Sequence, residues 1–250
     1  MKGVILAGGL GTRLHPLTRI TNKHLLPVFN KPMIYYPIQC LINAGIRDIL
    51  IVTGGDSAGE FLRLLGNGKE FGLKELHYTY QEGEGGIADA LKLAQDFVEN
   101  DKLVVILGDN IIEKDICRQV GEFFTQPSGA KILLKDVPDP KRFGVPRFDG
   151  DALAEIVEKP ANPPSNYAVV GIYMYDSSVF DILPDLKPSK RGELEITDVN
   201  NAFIKAGKMT WDTLEGWWTD AGTFESLHRA SCLVAEGGAN NMTNRLGHAT

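Results

Sequence analysis

Apolar residues follow two rhythms along this chain, and the change between them divides it near residue 127. In the first half, short apolar runs at residues 3–7, 46–53, 76–80 and 103–107 are predicted strands. Those at 46–53 and 103–107 are apolar almost throughout, as strands covered on both faces are. Stretches of helical period lie between them. One covers residues 33–44, opened by Pro32 and stopped by Gly45, with a kink predicted at Pro37. A second follows the capping-box pattern Ser57-x-x-Glu60. A third, amphipathic, is predicted over 87–98. Strand–helix alternation with right-handed crossovers predicts a doubly wound α/β fold: a Rossmann-like, mostly parallel sheet flanked by helices.

The second half is richer in strands, predicted at 130–137, 145–148, 153–158 and 167–175, with Asp149-Gly150 as a hairpin turn. Helices are expected at 197–206, ending at Gly207, and at 224–236. A strand-rich lid over the first half is the expected arrangement. Residues 1–127 and 128–236 are expected to share one core as a single domain over 1–236. Residues 237–250 have no clear period and carry Gly237-Gly238 and Asn240-Asn241, so a disordered or loosely packed tail is expected there.

Composition then removes several classes. The chain has 250 residues, 43% of them hydrophobic, enough for one domain that buries roughly three quarters of its unfolded surface. Its formal charge is −6 with no basic stripe, so nucleic acid is not expected as a partner. A small polyanionic substrate stays open, because local cations matter more than the total. The three cysteines fall in no CxxC pattern and suit free thiols in a reducing compartment. The opening residues enter a strand at once, and no apolar run approaches the roughly 20 residues of a membrane span. A cytoplasmic protein without membrane contact is the expectation. His15, His24, His77, His228 and His248 show no metal-ligand spacing.

The candidate chemistry begins where the first strand ends, at Gly8-Gly9-Leu10-Gly11-Thr12-Arg13. Glycines there permit positive φ and close backbone approach, so successive N–H groups can cradle an anion. A Walker A loop is excluded, since no Lys-Ser or Lys-Thr follows. A dinucleotide fingerprint is excluded too, because its third glycine position holds Leu14. Asp109 follows the apolar run 103–107, at the strand end where open α/β sheets place ligands. A carboxylate there needs a cation, and Mg²⁺ with its preference for one or two carboxylates plus phosphate oxygens suits it. Gln81 ends the third strand, and its amide can meet the N3–H and O4 edge of uracil or thymine.

Two spaced blocks match a known pattern: L-A-G-G-x-G-T-R-L at 6–14, and K-x-L-L-P at 23–27. On these the chain resembles the sugar-1-phosphate nucleotidylyltransferases, and more narrowly their glucose-1-phosphate thymidylyltransferase branch, over residues 2–232. The resemblance implies a nucleotide site of Leu6, Gly8, Gly9, Gly11, Thr12, Arg13, Gln81 and Gly86, with Arg13, Lys23 and Asp109 catalytic. It adds Asp220, in Trp217-Trp218-Thr219-Asp220-Ala221-Gly222-Thr223, as the second Mg²⁺ ligand beside Asp109. Near Gly86 the chain departs from the usual pattern, with Ile87 for leucine and an unusual Gly83-Glu84-Gly85. Blocks around Gly144, Glu158-Lys159-Pro160, residues 166–173 and residues 191–200 imply a sugar-phosphate site of Asn110, Gly144, Glu158, Lys159, Val170, Tyr173 and Arg191, with Gly171 leaving room for the sugar ring. Gly86 would let the base lie close to the backbone. The implied activity joins dTTP and glucose 1-phosphate into dTDP-glucose and pyrophosphate, in a homo-oligomer. Two alternatives stay open at this point: uridylyl transfer from UTP to a hexose 1-phosphate, and a nucleotide-sugar-binding regulatory module without turnover.

Overall fold

The structure, a computed structural model, describes residues 1–242. Its centre is a seven-stranded sheet. In chain order the strands are β1 (Lys2–Ala7), β2 (Asp48–Gly54), β3 (Glu75–Gln81), β4 (Leu103–Leu107), β5 (Ala130–Asp136), β6 (Tyr167–Tyr175) and β7 (Met209–Thr213). Across the sheet they run β7-β5-β6-β4-β1-β2-β3. Pairing is parallel from β4 through β1 and β2 to β3; β6 is antiparallel to both neighbours, and β7 is parallel to β5.

Alternation along β1 shows how the sequence builds both layers. Val4 and Leu6 point to one face, Ile5 and Ala7 to the other, and all are buried. Helices α1 (Tyr35–Asn43), α2 (Ala58–Leu65) and α4 (Cys117–Thr125) cover one face through Ile38, Leu41, Phe61, Leu65 and Phe123. Helices α3 (Ile87–Lys92) and α5 (Ile196–Lys205) cover the other through Leu91, Val199 and Phe203. Each cluster draws on residues from both halves of the chain. A smaller cluster packs α6 (Phe224–Gly237) against Val28, Met33 and Ile111.

Several expectations are corrected. Pro32 lies in a two-residue strand, and α1 begins only at Tyr35. That places Pro37 in the first helical turn, where the missing N–H has no intrahelical partner to lose, so no kink is required. Ser57 makes no side-chain cap; Glu60 instead accepts a 2.7 Å hydrogen bond from the Thr21 hydroxyl. The predicted helix 87–98 is interrupted at residues 93–94, leaving α3 and a single helical turn at Gln95–Val98. Of the four strands expected early in the second half, β5 and β6 extend the main sheet. Gly144–Asp149 and Ala152–Glu158 form a separate antiparallel ribbon. The tail is packed at its start: Asn240 is buried, its amide donates to Tyr36 O at 3.0 Å, and its N–H donates to Ile112 O at 2.9 Å. The rest of that expectation, residues 243–250 with His248, lies outside the described residues.

Candidate active site

A cleft of about 800 Å³ opens at the carboxyl ends of β1, β3 and β4 and runs under the Gly144–Asp149 ribbon. One end of it is built by the glycine loop. Gly11 has φ +67°, and any side chain on it would strike Lys23, so the loop wraps this lysine because residue 11 has none. Gly54, ending β2, allows Gly8 to pass at a distance that a Cβ would forbid. Lys23 is fixed by its own turn, in which the Asn22 side chain accepts from the His24 N–H at 3.0 Å. The Asn22 oxygen also meets the His24 Nδ1 at 2.7 Å. Burial, with the Lys23 charge beside it, pushes the His24 pKa down to about 3, so this ring is neutral.

Lys23 Nζ lies 2.5 Å from Asp109 Oδ2, and both side chains are 12% exposed. Burial alone would raise the Asp109 pKa. The Lys23 charge and hydrogen bonds from Lys23 and Asn110 outweigh it and hold the carboxyl well below the usual range.

Asp220 reaches the same place from far along the chain, because Trp218–Asp220 pairs antiparallel with Asn110–Ile112. The Ala221 N–H donates to Asp109 O at 2.8 Å, closing the ribbon. A Cβ built on Gly222 would lie 3.1 Å from the Arg13 guanidinium, 3.5 Å from Asp220 Oδ2 and 3.6 Å from Asp109 Oδ2. Two carboxylates and a guanidinium thus border one small space beside Gly222. Burial, then repulsion from Asp109, raises the Asp220 pKa, and Arg142 lies 3.4 Å from its Oδ2. Two buried like charges with oxygen-only donors, one of them disfavoured by the other, fit a hard divalent cation flanked by phosphate oxygens.

A different cluster would have been a poor substitute. The ligand atoms of Asp48, Glu75 and His77 lie within 4.8 Å of one another, a neighbourhood that no sequence spacing of the histidines signals. They sit at the amino ends of β2 and β3, away from the cleft, and the Lys2 ammonium is 2.7 Å from Asp48.

Leu6, Gly8, Gly9, Gly11, Thr12, Arg13, Gln81 and Gly86 all line the cleft. Gly86 is required by the protein itself: its φ is +97°, and a Cβ would come within 2.6 Å of Leu194 O. Asn110, Gly144, Glu158, Lys159, Tyr173 and Arg191, expected for the sugar phosphate, line the cleft too. Val170 does not. It is fully buried on the opposite face of β6, while Val169, Gly171 and Tyr173 face the cleft, as a period of two dictates. The Asn110 amide is engaged within the fold: Oδ1 accepts from Trp218 Nε1 at 2.7 Å and Gly171 N at 3.0 Å, and Nδ2 donates to Asp109 at 3.0 Å. The space beside Gly171 is accordingly taken by Asn110, since a Cβ there would lie 2.6 Å from Nδ2. Arg191 contacts Glu158, Glu193 and Glu195, and Lys159 lies 3.4 Å from Glu158. Arg142, Glu195, Thr197 and Trp218 also line the cleft without having been predicted. All four sit in blocks already singled out: Arg142 beside Gly144, Glu195 and Thr197 within residues 191–200, and Trp218 beside Asp220.

A glycine-rich loop, the Arg13 and Lys23 cations and two neighbouring carboxylates converge at one end of the sheet, an arrangement suited to phosphate-bearing ligands. The chain belongs to the nucleotidyl transferase family, whose sequence profile it matches over residues 2–237. It is 44% identical over 238 residues to a glucose-1-phosphate thymidylyltransferase of Neisseria meningitidis, covering 94% of this chain and 82% of that protein. A protein of the same name from Mycolicibacterium smegmatis is 46% identical over 237 residues, with the same coverage. A Bacillus anthracis crystal structure, provisionally assigned as a glucose-1-phosphate thymidylyltransferase and holding sucrose, superposes with a TM-score of 0.90 at 54% identity. It covers 94% of this chain and 96% of its own. A UDP-glucose pyrophosphorylase complexed with UDP-glucose superposes at 0.81 with 26% identity, over 92% and 97% of the two chains.

Proposed function

We propose that the protein is a glucose-1-phosphate thymidylyltransferase. A phosphate oxygen of α-D-glucose 1-phosphate attacks the α-phosphorus of dTTP, the bond to the β-phosphate breaks, and dTDP-glucose and pyrophosphate leave. The observation that carries this reading is the convergence of Arg13, Lys23, Asp109 and Asp220 on one cleft, in a chain so similar to thymidylyltransferases along most of its length.

The glycine loop would hold the triphosphate by its backbone N–H groups, and Arg13 would take the charge of the departing β and γ phosphates. Lys23 is held in place before any ligand arrives, so it would stabilise charge on the α-phosphate without reorganising. Lys159 and Arg191 would bind the sugar phosphate, and Glu158 the sugar hydroxyls. Asp109 and Asp220 would hold Mg²⁺, which supplies Lewis-acid polarisation and a template for the phosphates. Positioning and charge stabilisation suffice, with no covalent intermediate.

Supporting a non-membrane setting, no helix among the described residues is long and apolar enough to cross a membrane. A cytoplasmic location and a homo-oligomeric assembly belong to the same proposal. The test is pyrophosphate release on mixing the protein with Mg²⁺, glucose 1-phosphate and either dTTP or UTP. Release with dTTP in clear preference supports the reading. Preference for UTP would make it a uridylyltransferase, and no release with either would make it a binding module.

A further inference from the structure

An amide side chain has two ends of nearly equal shape and opposite hydrogen-bonding character. In Gln81, buried at the end of β3, Nε2 donates to Gly86 O at 3.1 Å and to Asp89 Oδ2 at 2.8 Å. Both partners only accept, so the amino end must face them. The opposite orientation would set the carbonyl oxygen against a carbonyl and a carboxylate. Oε1 is therefore committed to the other side, where it lies against Gly8, 2.8 Å from where a Cβ on that glycine would be. Gln81 and Gly8 line the cleft. Asp89 stands behind the wall, half-buried in the first turn of α3. Its carboxylate fits there because Gly85 has no side chain to collide with it, which gives the unusual Gly83-Glu84-Gly85 turn a structural purpose.

We propose that Asp89 is a specificity-determining residue that acts through Gln81, locking its amide so that only an acceptor faces the base. This rests on the nucleotidyl-transfer reading above. Thymine and uracil present N3–H to such an acceptor. Cytosine presents a bare N3, which would meet Oε1 lone pair to lone pair. The lock separates uracil and thymine from cytosine; the base methyl and the 2′-OH lie outside its reach.

The test compares the parent protein with Asp89→Asn and Asp89→Ala in Mg²⁺ buffer. Calorimetric Kd values are taken for dTTP and dCTP, beside kcat and KM from pyrophosphate release. The parent is expected to favour dTTP by about 100-fold, the scale of one buried hydrogen-bonding group turned the wrong way. In Asp89→Asn the new amide can accept or donate, so only the Gly86 carbonyl still opposes a turn of Gln81. The dTTP-to-dCTP ratio should fall about tenfold, through Kd and KM, with kcat at saturating dTTP changed less than about threefold. Asp89→Ala should lower the ratio in the same direction, and it carries the test if the asparagine variant fails to fold. A purely structural Asp89 would lower the melting temperature and weaken both nucleotides equally. That result, or an unchanged ratio in a folded variant, overturns the proposal. If no nucleotide turns over but the binding ratio still collapses with Asp89, the enzyme reading fails and the lock stands. If turnover is normal and the ratio does not move, the reverse holds.

Discussion

At the phosphate end of the cleft, Lys23 and Asp109 meet at 2.5 Å, each with only 12% of its side chain exposed. At the end proposed to take the sugar phosphate, Arg191 and Lys159 keep 41% and 44% exposure and both reach toward Glu158 at 3.4 Å. One pair is held by a capped turn, a glycine loop and an asparagine whose amide is engaged on three sides. The other charges ride on long, solvated side chains. The phosphate end is therefore ordered before a ligand arrives, where preorganised charge acts on the transition state. The end proposed for the sugar phosphate is more open to solvent, which suits binding rather than chemistry.

The sharpest way to break this contrast is Lys23→Ala. Turnover should fall by about 10²–10³. Asp109 would be left as an unpaired buried charge, so stability should fall by about 3–5 kcal/mol in a denaturant titration. The double variant Lys23→Ala/Asp109→Asn should recover much of that stability and none of the activity. Loss of stability equal to the sum of the two single variants would contradict a coupled pair.

Lys159→Ala at the other end should raise KM for glucose 1-phosphate about tenfold and leave stability within about 0.5 kcal/mol. An effect on stability as large as that of Lys23→Ala would erase the distinction between the ends. Between the two stands Trp218→Phe, which keeps the packing on Phe143 but removes the donor to Asn110. It should cost about 1–2 kcal/mol and lower kcat more than it changes either KM, because Asn110 orients Asp109.

A separate effect, spread over several pH units and absent at neutral pH, is on acid stability. His24 has a pKa of about 3 in the fold against an ordinary 6.5. Between those values the unfolded chain holds a proton that the native ring does not, so stability rises with pH. As pH drops from 6.5 toward 3, His24 should cost about 1.4 kcal/mol per pH unit. Asp109, held low, adds its own loss only below its unfolded value near 3.8. Urea midpoints of the parent and His24→Asn, measured from pH 7 to pH 4, should diverge in slope; parallel slopes would mean the ring is not held neutral.

The legible parts of this molecule were local. Apolar runs found β1, β2 and β4, because a strand covered on both faces needs an unbroken run. The glycine loop announced itself because positive φ and close approach demand residues without side chains. Pro37 misled because a proline in a first turn and one mid-helix read alike until the helix start is known. The four second-half strands looked alike too, although two joined the sheet and two formed a ribbon; strand partners are chosen by distant surfaces.

The sequence by itself determined the parallel core and the glycine-rich loop after its first strand, since each depends on local backbone freedom or on alternation along one strand. Only the tertiary structure decided that Asp220 arrives beside Asp109, that Val170 turns away from the cleft, that Asn110 serves Asp109 and that Asp89 stands behind Gln81. Those are contacts between segments remote in the chain. They are set by which strands pair and in what register, and register fixes at once which side of a strand every residue faces.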